Sequence, residues 1–153
     1  MKISVVGMGY VGLSLATLLS ENNEVIALDI VQDKVDKINN RISPIKDGYI
    51  EKYFKEKKLN LTATIDWRVA LADVDFVIIS TPTNYDTEKN FFETSSVEDI
   101  IEKVIKMDSK HKTQIVIKST IPVRYVEKIR KYYNIDNLFF SPEFLREEKI
   151  LCL

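Results

Sequence analysis

Six short runs rich in β-branched and apolar residues recur along the chain, and most are followed by a stretch whose apolar positions are spaced for a helix. They cover 2–7 (KISVVG), 23–29 (NEVIALD), 59–64 (LNLTAT), 74–80 (VDFVIIS), 113–119 (TQIVIKS) and 137–141 (NLFFS). Strands that are apolar at nearly every position are covered on both faces, and strands separated by helices pair in parallel through crossovers. The expected fold class is therefore α/β, a doubly wound parallel sheet of about six strands with helices on both faces. Helical spacing begins after Gly12, where Leu13, Ala16, Leu19 and Ser20 recur, and again beyond Asp33 with Val35 and Ile38. Later helices are expected around 48–57, 67–72, 96–107 and 123–133. The segment 81–96 (TPTNYDTEKNFFETSS) is polar, follows neither period, and reads as a long loop at the C-terminal end of a strand.

A chain of 153 residues is long enough for one domain with a substantial core and short for two. Its 22 basic and 23 acidic residues are interspersed and leave a formal charge of −1, so no broad positive field draws nucleic acid or an anionic membrane. No apolar run approaches the roughly 20 residues that span a bilayer, and Met1-Lys2 leads directly into a strand, so the expected location is cytoplasmic. The one Cys, Cys152, has no intrachain partner, and no Cys/His cluster has metal-ligand spacing, so no metal is expected.

Three of the four glycines fall within six residues, in VVGMGYVG at the end of the first run. A strand ending at Gly7, then Gly9 and Gly12 in the pattern G-x-G-x-x-G, then a helix, is the dinucleotide fingerprint in its required setting and makes the sheet Rossmann-like. Gly7 permits the tight turn, Gly9 lets the backbone approach a pyrophosphate, and Gly12 lets helix and strand pack closely. The helix then turns its unpaired amides towards the anion. Asp29 ends the second run 22 positions after Gly7, near the spacing at which an acid accepts hydrogen bonds from the adenosine ribose. A carboxylate there repels a 2′-phosphate, and no Arg follows before Arg41, so NAD is the expected cofactor rather than NADP. A turn-starting or helix-capping role for Asp29 is the competing reading.

Beyond the second strand, TPTN (81–84), KSTIP (118–122) and SPEFLRE (141–147) follow in order, and VDKINNRISPIKDGYIE occupies 35–51. With the glycine turn, these motifs resemble the nucleotide-sugar dehydrogenases, the UDP-glucose/GDP-mannose dehydrogenase family, over essentially the whole chain. The resemblance implies the N-terminal NAD-binding domain, residues 1–153, without the family's central helix and C-terminal substrate domain. It implies a two-step oxidation of a sugar C6 alcohol to a carboxylate, consuming two NAD through a thiol-linked intermediate, with UDP-glucose or a related nucleotide-sugar as substrate. By the same resemblance Tyr10, Val11, Asp29, Lys34, Thr83, Thr120 and Glu147 join the glycines as cofactor contacts. Glu143, Phe144, Leu145, Arg146 and Glu147 correspond to a substrate-contacting segment. Thr120, Glu143 and Glu147 stand as catalytic candidates, the Thr holding a water and Glu143 serving as acid and base. The full-length family is dimeric; this stretch by itself is expected to be inactive, and a monomer is open to it.

The bland readings remain alongside. Thr120 can cap the helix after Pro122, and Glu143 can be a first-turn acid favoured by the helix dipole. His111 reads as a loop residue, Cys152 as an ordinary thiol outside any nucleophile motif, and Trp67 and Phe91-Phe92 as packing or loop anchors. GDP-mannose and UDP-N-acetylhexosamine dehydrogenases, or a non-catalytic NAD-binding module, are the alternatives.

Overall fold

The computed structural model describes residues 1–88, 91–110 and 112–142. Eight strands and six helices follow one another along the described chain. The first half runs β1 (Lys2–Val6), α1 (Tyr10–Leu19), β2 (Glu24–Leu28), α2 (Gln32–Asn39), α3 (Gly48–Glu56), β3 (Leu61–Thr64), α4 (Trp67–Ala70) and β4 (Phe76–Ile79). It continues with β5 (Asn84–Asp86), β6 (Phe91–Glu93), α5 (Ser95–Met107), β7 (Gln114–Ile117), α6 (Tyr125–Tyr133) and β8 (Leu138–Phe140).

Six of the strands form one sheet in the order β3-β2-β1-β4-β7-β8, every pair parallel. All six runs marked in the sequence are these strands, each trimmed by one or two residues at its ends. Successive side chains of a strand point to opposite faces, and the two faces bury separate cores. Ile3 and Val5 of β1, with Val25 and Ala27 of β2, meet Leu13 and Ala16 of α1, Ile38 of α2, and Ile50 and Phe54 of α3. The alternate residues, Val6, Ile26, Leu28, Val77 and Ile79, pack with Val97, Ile101 and Val104 of α5 and Ile129 of α6. This is the two-faced covering that uniformly apolar strands require.

The sheet edges are occupied by side chains. On β3 the Asn39 amide donates to the Ala63 carbonyl at 3.0 Å and accepts from the Ala63 amide at 2.8 Å, standing in for a neighbouring strand. On β8, Arg130 Nε donates to the Leu138 carbonyl at 2.9 Å. Asp47 caps α3, its carboxylate accepting from the amides of Tyr49 and Ile50 at 3.0 and 3.1 Å.

One expectation is corrected. The segment 81–96 is not a loop throughout but carries the antiparallel ribbon β5-β6, in which Asn84 faces Glu93 and Tyr85 faces Phe92. The Tyr85 and Phe92 rings lie 4.8 Å apart, a cross-strand aromatic contact of the kind that stabilises short ribbons. Three-residue strands are too short to display a period of two, so polar flanks hide them in the sequence.

Candidate functional site

A cleft of about 520 Å³ opens at the C-terminal ends of β1, β2 and β4. There the strand order reverses, β1 connecting to β2 on one side while β4 lies on the other, and the crevice such a reversal leaves is where open α/β sheets take ligands.

The glycine turn forms its floor. Gly7 continues the β1–β2 ladder through its amide to the Leu28 carbonyl at 2.8 Å, then turns at φ +90°, a conformation open to glycine. A Cβ on Gly7 would lie 2.7 Å from the Ser80 carbonyl oxygen, and one on Gly12 would lie 1.8 Å from the Gly7 carbonyl oxygen. Gly12 is thus the position at which α1 comes directly against the turn. At Gly9 nothing lies within 4 Å of the missing Cβ, so its open side faces the cleft that it helps to line.

Gly9 also caps α1, with no side-chain hydrogen bond at the cap and no acid in the first turn. Helix geometry leaves the leading amides without carbonyl partners, and the dipole adds about half a positive charge at that end. Ser80, at the end of β4, lines the same cleft with a buried hydroxyl that has no hydrogen-bond partner among the described residues. A bare-backbone approach, an uncapped helix start and an orphaned hydroxyl fit the diphosphate of a dinucleotide.

Asp29 stands at the end of β2, 8% exposed. Its Oδ2 accepts from the Met8 amide at 2.7 Å and its Oδ1 from the Val31 amide at 2.9 Å. A carboxylate has about four acceptor positions, so capacity remains for ribose hydroxyls beyond the two amides. Lys34 Nζ lies 3.5 Å from Oδ2 and donates to the Met8 carbonyl at 3.2 Å. The turn-starting reading of Asp29 is seen in its bond to the Val31 amide two residues on, and the side chain also ties the β2 end to the glycine turn and lines the cleft.

Of the residues marked from sequence, Gly7, Gly9, Asp29 and Lys34 meet on the cleft wall. Tyr10 and Val11 occupy the first turn of α1 beside it, partly exposed, and Gly12 is buried beneath. Thr83 lies between β4 and β5, and Thr120 is exposed beyond β7; neither lines the cleft. Thr120 is nonetheless tethered to the rim of the cleft, since its neighbour Ser119 donates to the carbonyl of Thr81, a cleft-lining residue, at 2.7 Å. Glu143, Phe144, Leu145, Arg146 and Glu147 lie outside the described residues, as do His111 and Cys152.

The opposite wall was not foreseen. Trp67 lines the cleft while packing against the core, so its anchor reading covers half of its position. Lys103 Nζ stands 5.5 Å from the centre of the Trp67 ring and 2.6 Å from Asp99 Oδ2, both on α5. The i, i+4 spacing of Asp99 and Lys103 was legible, but their approach to Trp67 depends on how α4 and α5 pack. Among the described residues no group of three or more His, Cys, Asp or Glu side chains could hold a metal, and no helix is long and apolar enough to cross a membrane.

The comparisons with known proteins agree with this geometry. The chain is 54% identical over 151 residues to the UDP-glucose 6-dehydrogenase of Streptococcus pneumoniae, covering 99% of this chain and 38% of that protein. To the Campylobacter jejuni UDP-glucose 6-dehydrogenase it is 46% identical over 153 residues, with coverage of 99% and 38%. Among solved structures, a GDP-mannose dehydrogenase from Pseudomonas aeruginosa superposes with a TM-score of 0.78 at 26% identity, covering 95% of this chain and 37% of that one. The chain thus spans about two-fifths of the length of these relatives. Residues 1–152 match the UDP-glucose/GDP-mannose dehydrogenase family, NAD binding domain. The glycine turn, the acid at the end of β2 and this match together make the chain the NAD-binding domain of a member of the UDP-glucose/GDP-mannose dehydrogenase family.

Proposed function

We propose that the chain is the cofactor-holding part of a nucleotide-sugar 6-dehydrogenase acting on UDP-glucose, as its 54% and 46% identical relatives are UDP-glucose 6-dehydrogenases. The observation that carries the cofactor role is the unobstructed face of Gly9 at the uncapped start of α1, with Asp29 close enough to bond the neighbouring Met8 amide. In this reading the amides of Tyr10 and Val11 hold the diphosphate, and Gly7 and Gly12 shape the turn that presents them. Asp29 accepts the adenosine ribose hydroxyls and Lys34 steadies Asp29. Trp67 and the Asp99–Lys103 pair form the facing wall and exclude water from the bound nucleotide.

When bound, NAD supplies the hydride acceptor for oxidation at the sugar C6 carbon. Thr83 and Thr120 stand beyond the C-terminal ends of β4 and β7, on the side of the sheet towards which a nicotinamide would extend from a diphosphate on α1. Thr120 has its hydroxyl available to hold a water there, and Glu143 and Glu147 are assigned acid, base and contact roles by resemblance. Substrate contact is assigned to the segment from Glu143 through Phe144, Leu145 and Arg146 to Glu147. The near-even charge supports a small nucleotide substrate rather than nucleic acid, and the reading includes a cytoplasmic setting and a dimeric full-length enzyme.

Trp67 is the only Trp and lines the cleft, so it reports binding directly. Titrating NAD into the purified chain is expected to change Trp67 emission and to release heat in calorimetry. Adding UDP-glucose is expected to give no NADH absorbance, because the family's nucleophile motif is not among these residues. Absence of a binding signal at millimolar NAD would refute the cofactor role. Turnover by this chain would refute the division of labour.

A further inference from the structure

We infer that Asp99 and Lys103 of α5 read the edge of the cofactor's base, as an acceptor and a donor set side by side that fit a 6-aminopurine and reject a 6-oxopurine. The inference rests on the NAD reading above and adds to it a device for choosing the base. The order of parts along the cleft places that base. A diphosphate at Gly9 and a ribose at Asp29 direct it onward, past the end of β2, towards Ile30, Ile65 and Trp67. Ile30 is 95% exposed and Ile65 52% exposed although both line the cleft, which leaves an apolar surface for a flat ring to cover. Asp99 and Lys103 line the same space from α5.

An i, i+4 ion pair is usually no more than a solvated helix face, and this one is held more firmly. The Lys103 side chain is 28% exposed, against 41% for Lys37 and 64% for Lys52 in pairs of the same spacing. Its ammonium is fixed twice, 2.6 Å from Asp99 Oδ2 and 5.5 Å from the centre of the Trp67 ring. Only one of its three protons is used on Asp99, and Asp99 Oδ1 accepts no hydrogen bond among the described residues. What faces the cleft is thus a carboxylate oxygen with open lone pairs beside an ammonium with protons to spare. Adenine presents the complement on one edge, the N6 amino donor next to the N1 acceptor. Hypoxanthine reverses both, with a carbonyl oxygen at position 6 and a proton on N1. Its oxygen would meet the carboxylate and its N1–H the ammonium, so every polar group there would be left unpaired. A site built to hydrogen-bond one pattern rejects the other chiefly through such unpaired groups.

The test compares NAD with nicotinamide hypoxanthine dinucleotide, which differ only at the base edge. Calorimetry measures both against the unaltered chain, Asp99→Ala and Lys103→Met, with circular dichroism to establish folding. Asp99 is more than half exposed, and Met keeps an apolar stem beside Trp67, so both variants are expected to fold. The unaltered chain should bind NAD at least about tenfold more tightly than the hypoxanthine dinucleotide, the worth of one charge-assisted hydrogen bond. Asp99→Ala is expected to bring the two affinities within about twofold of each other, because the group that accepts from N6 and opposes a carbonyl is gone. Lys103→Met should lower the ratio part of the way. A merely structural role for the pair would weaken both dinucleotides alike and leave the ratio unmoved. Equal affinities in the unaltered chain, or a preference that survives intact in Asp99→Ala, overturns the inference. Should one variant be unfolded, the ratios in the unaltered chain and in the other variant decide in the same way. If the unaltered chain binds neither dinucleotide, the cofactor reading fails and takes the inference with it, whereas equal binding of both spares that reading.

Discussion

Gly9 and Gly12 belong to one motif and do opposite things. A methyl at Gly12 would lie 1.8 Å from the Gly7 carbonyl oxygen, a backbone atom that can withdraw only if α1 lifts from the turn. Gly12→Ala is therefore expected to cost at least about 2 kcal/mol, read as a lower midpoint in urea unfolding. A methyl at Gly9 meets nothing within 4 Å, and its φ of −84° suits any residue. Gly9→Ala should leave the unfolding midpoint within about 0.5 kcal/mol of the unaltered chain yet weaken NAD, because the methyl projects into the cofactor's approach. Equal losses of stability in both variants would contradict this division. The spacing of the glycines was readable from sequence. So was the position of Asp29, but its two amide bonds were not, since they depend on where the turn at Met8 folds back relative to β2.

At the level of elements, the strands of the main sheet were legible because each falls in a compact run rich in apolar and β-branched residues, and the ribbon β5-β6 was not because its three-residue strands lie among polar neighbours. The treatment of the edges was equally hidden. Asn39 belongs to α2 and completes the hydrogen bonding of Ala63 in β3, 24 residues away. Nothing in the local sequence of an Asn at the end of a helix announces that. Asn39→Ala is expected to lower stability by about 1 kcal/mol, since both bonds are solvent-exposed, and to free the β3 edge for pairing between molecules. Thermal unfolding and light scattering at increasing concentration measure the two consequences. A variant with unchanged scattering and stability would show that the amide is dispensable.

Across the whole molecule, the second core face is closed by a row of polar contacts between α5 and α6. Tyr125 donates to Glu98 at 3.3 Å and Tyr133 donates to Glu102 at 2.6 Å. Burial raises the Tyr125 phenol well above its ordinary 10.0, and the negative charge of Glu98 adds to it. Tyr133 is raised in the same direction by burial and then by its hydrogen bond to Glu102. A raised folded-state value means that the neutral phenol is favoured in the native chain, so the contribution is complete below pH 10 and is lost as pH rises from there towards the raised values. The melting temperature should fall increasingly steeply above about pH 10, and Tyr125→Phe with Tyr133→Phe should flatten that decline. An identical slope in the double variant would remove these phenols from the account. What the sequence determined by itself was the class of fold, the turn and its acid, because strand hydrophobicity, glycine freedom and motif spacing are local properties written within a few residues. The wall formed by Trp67, Asp99 and Lys103, the convergence of donors on Asp29 and the edge role of Asn39 were decided only by the tertiary structure. Each of these joins residues whose distance in space is set by the packing of helices on a sheet, a quantity no short stretch of chain contains.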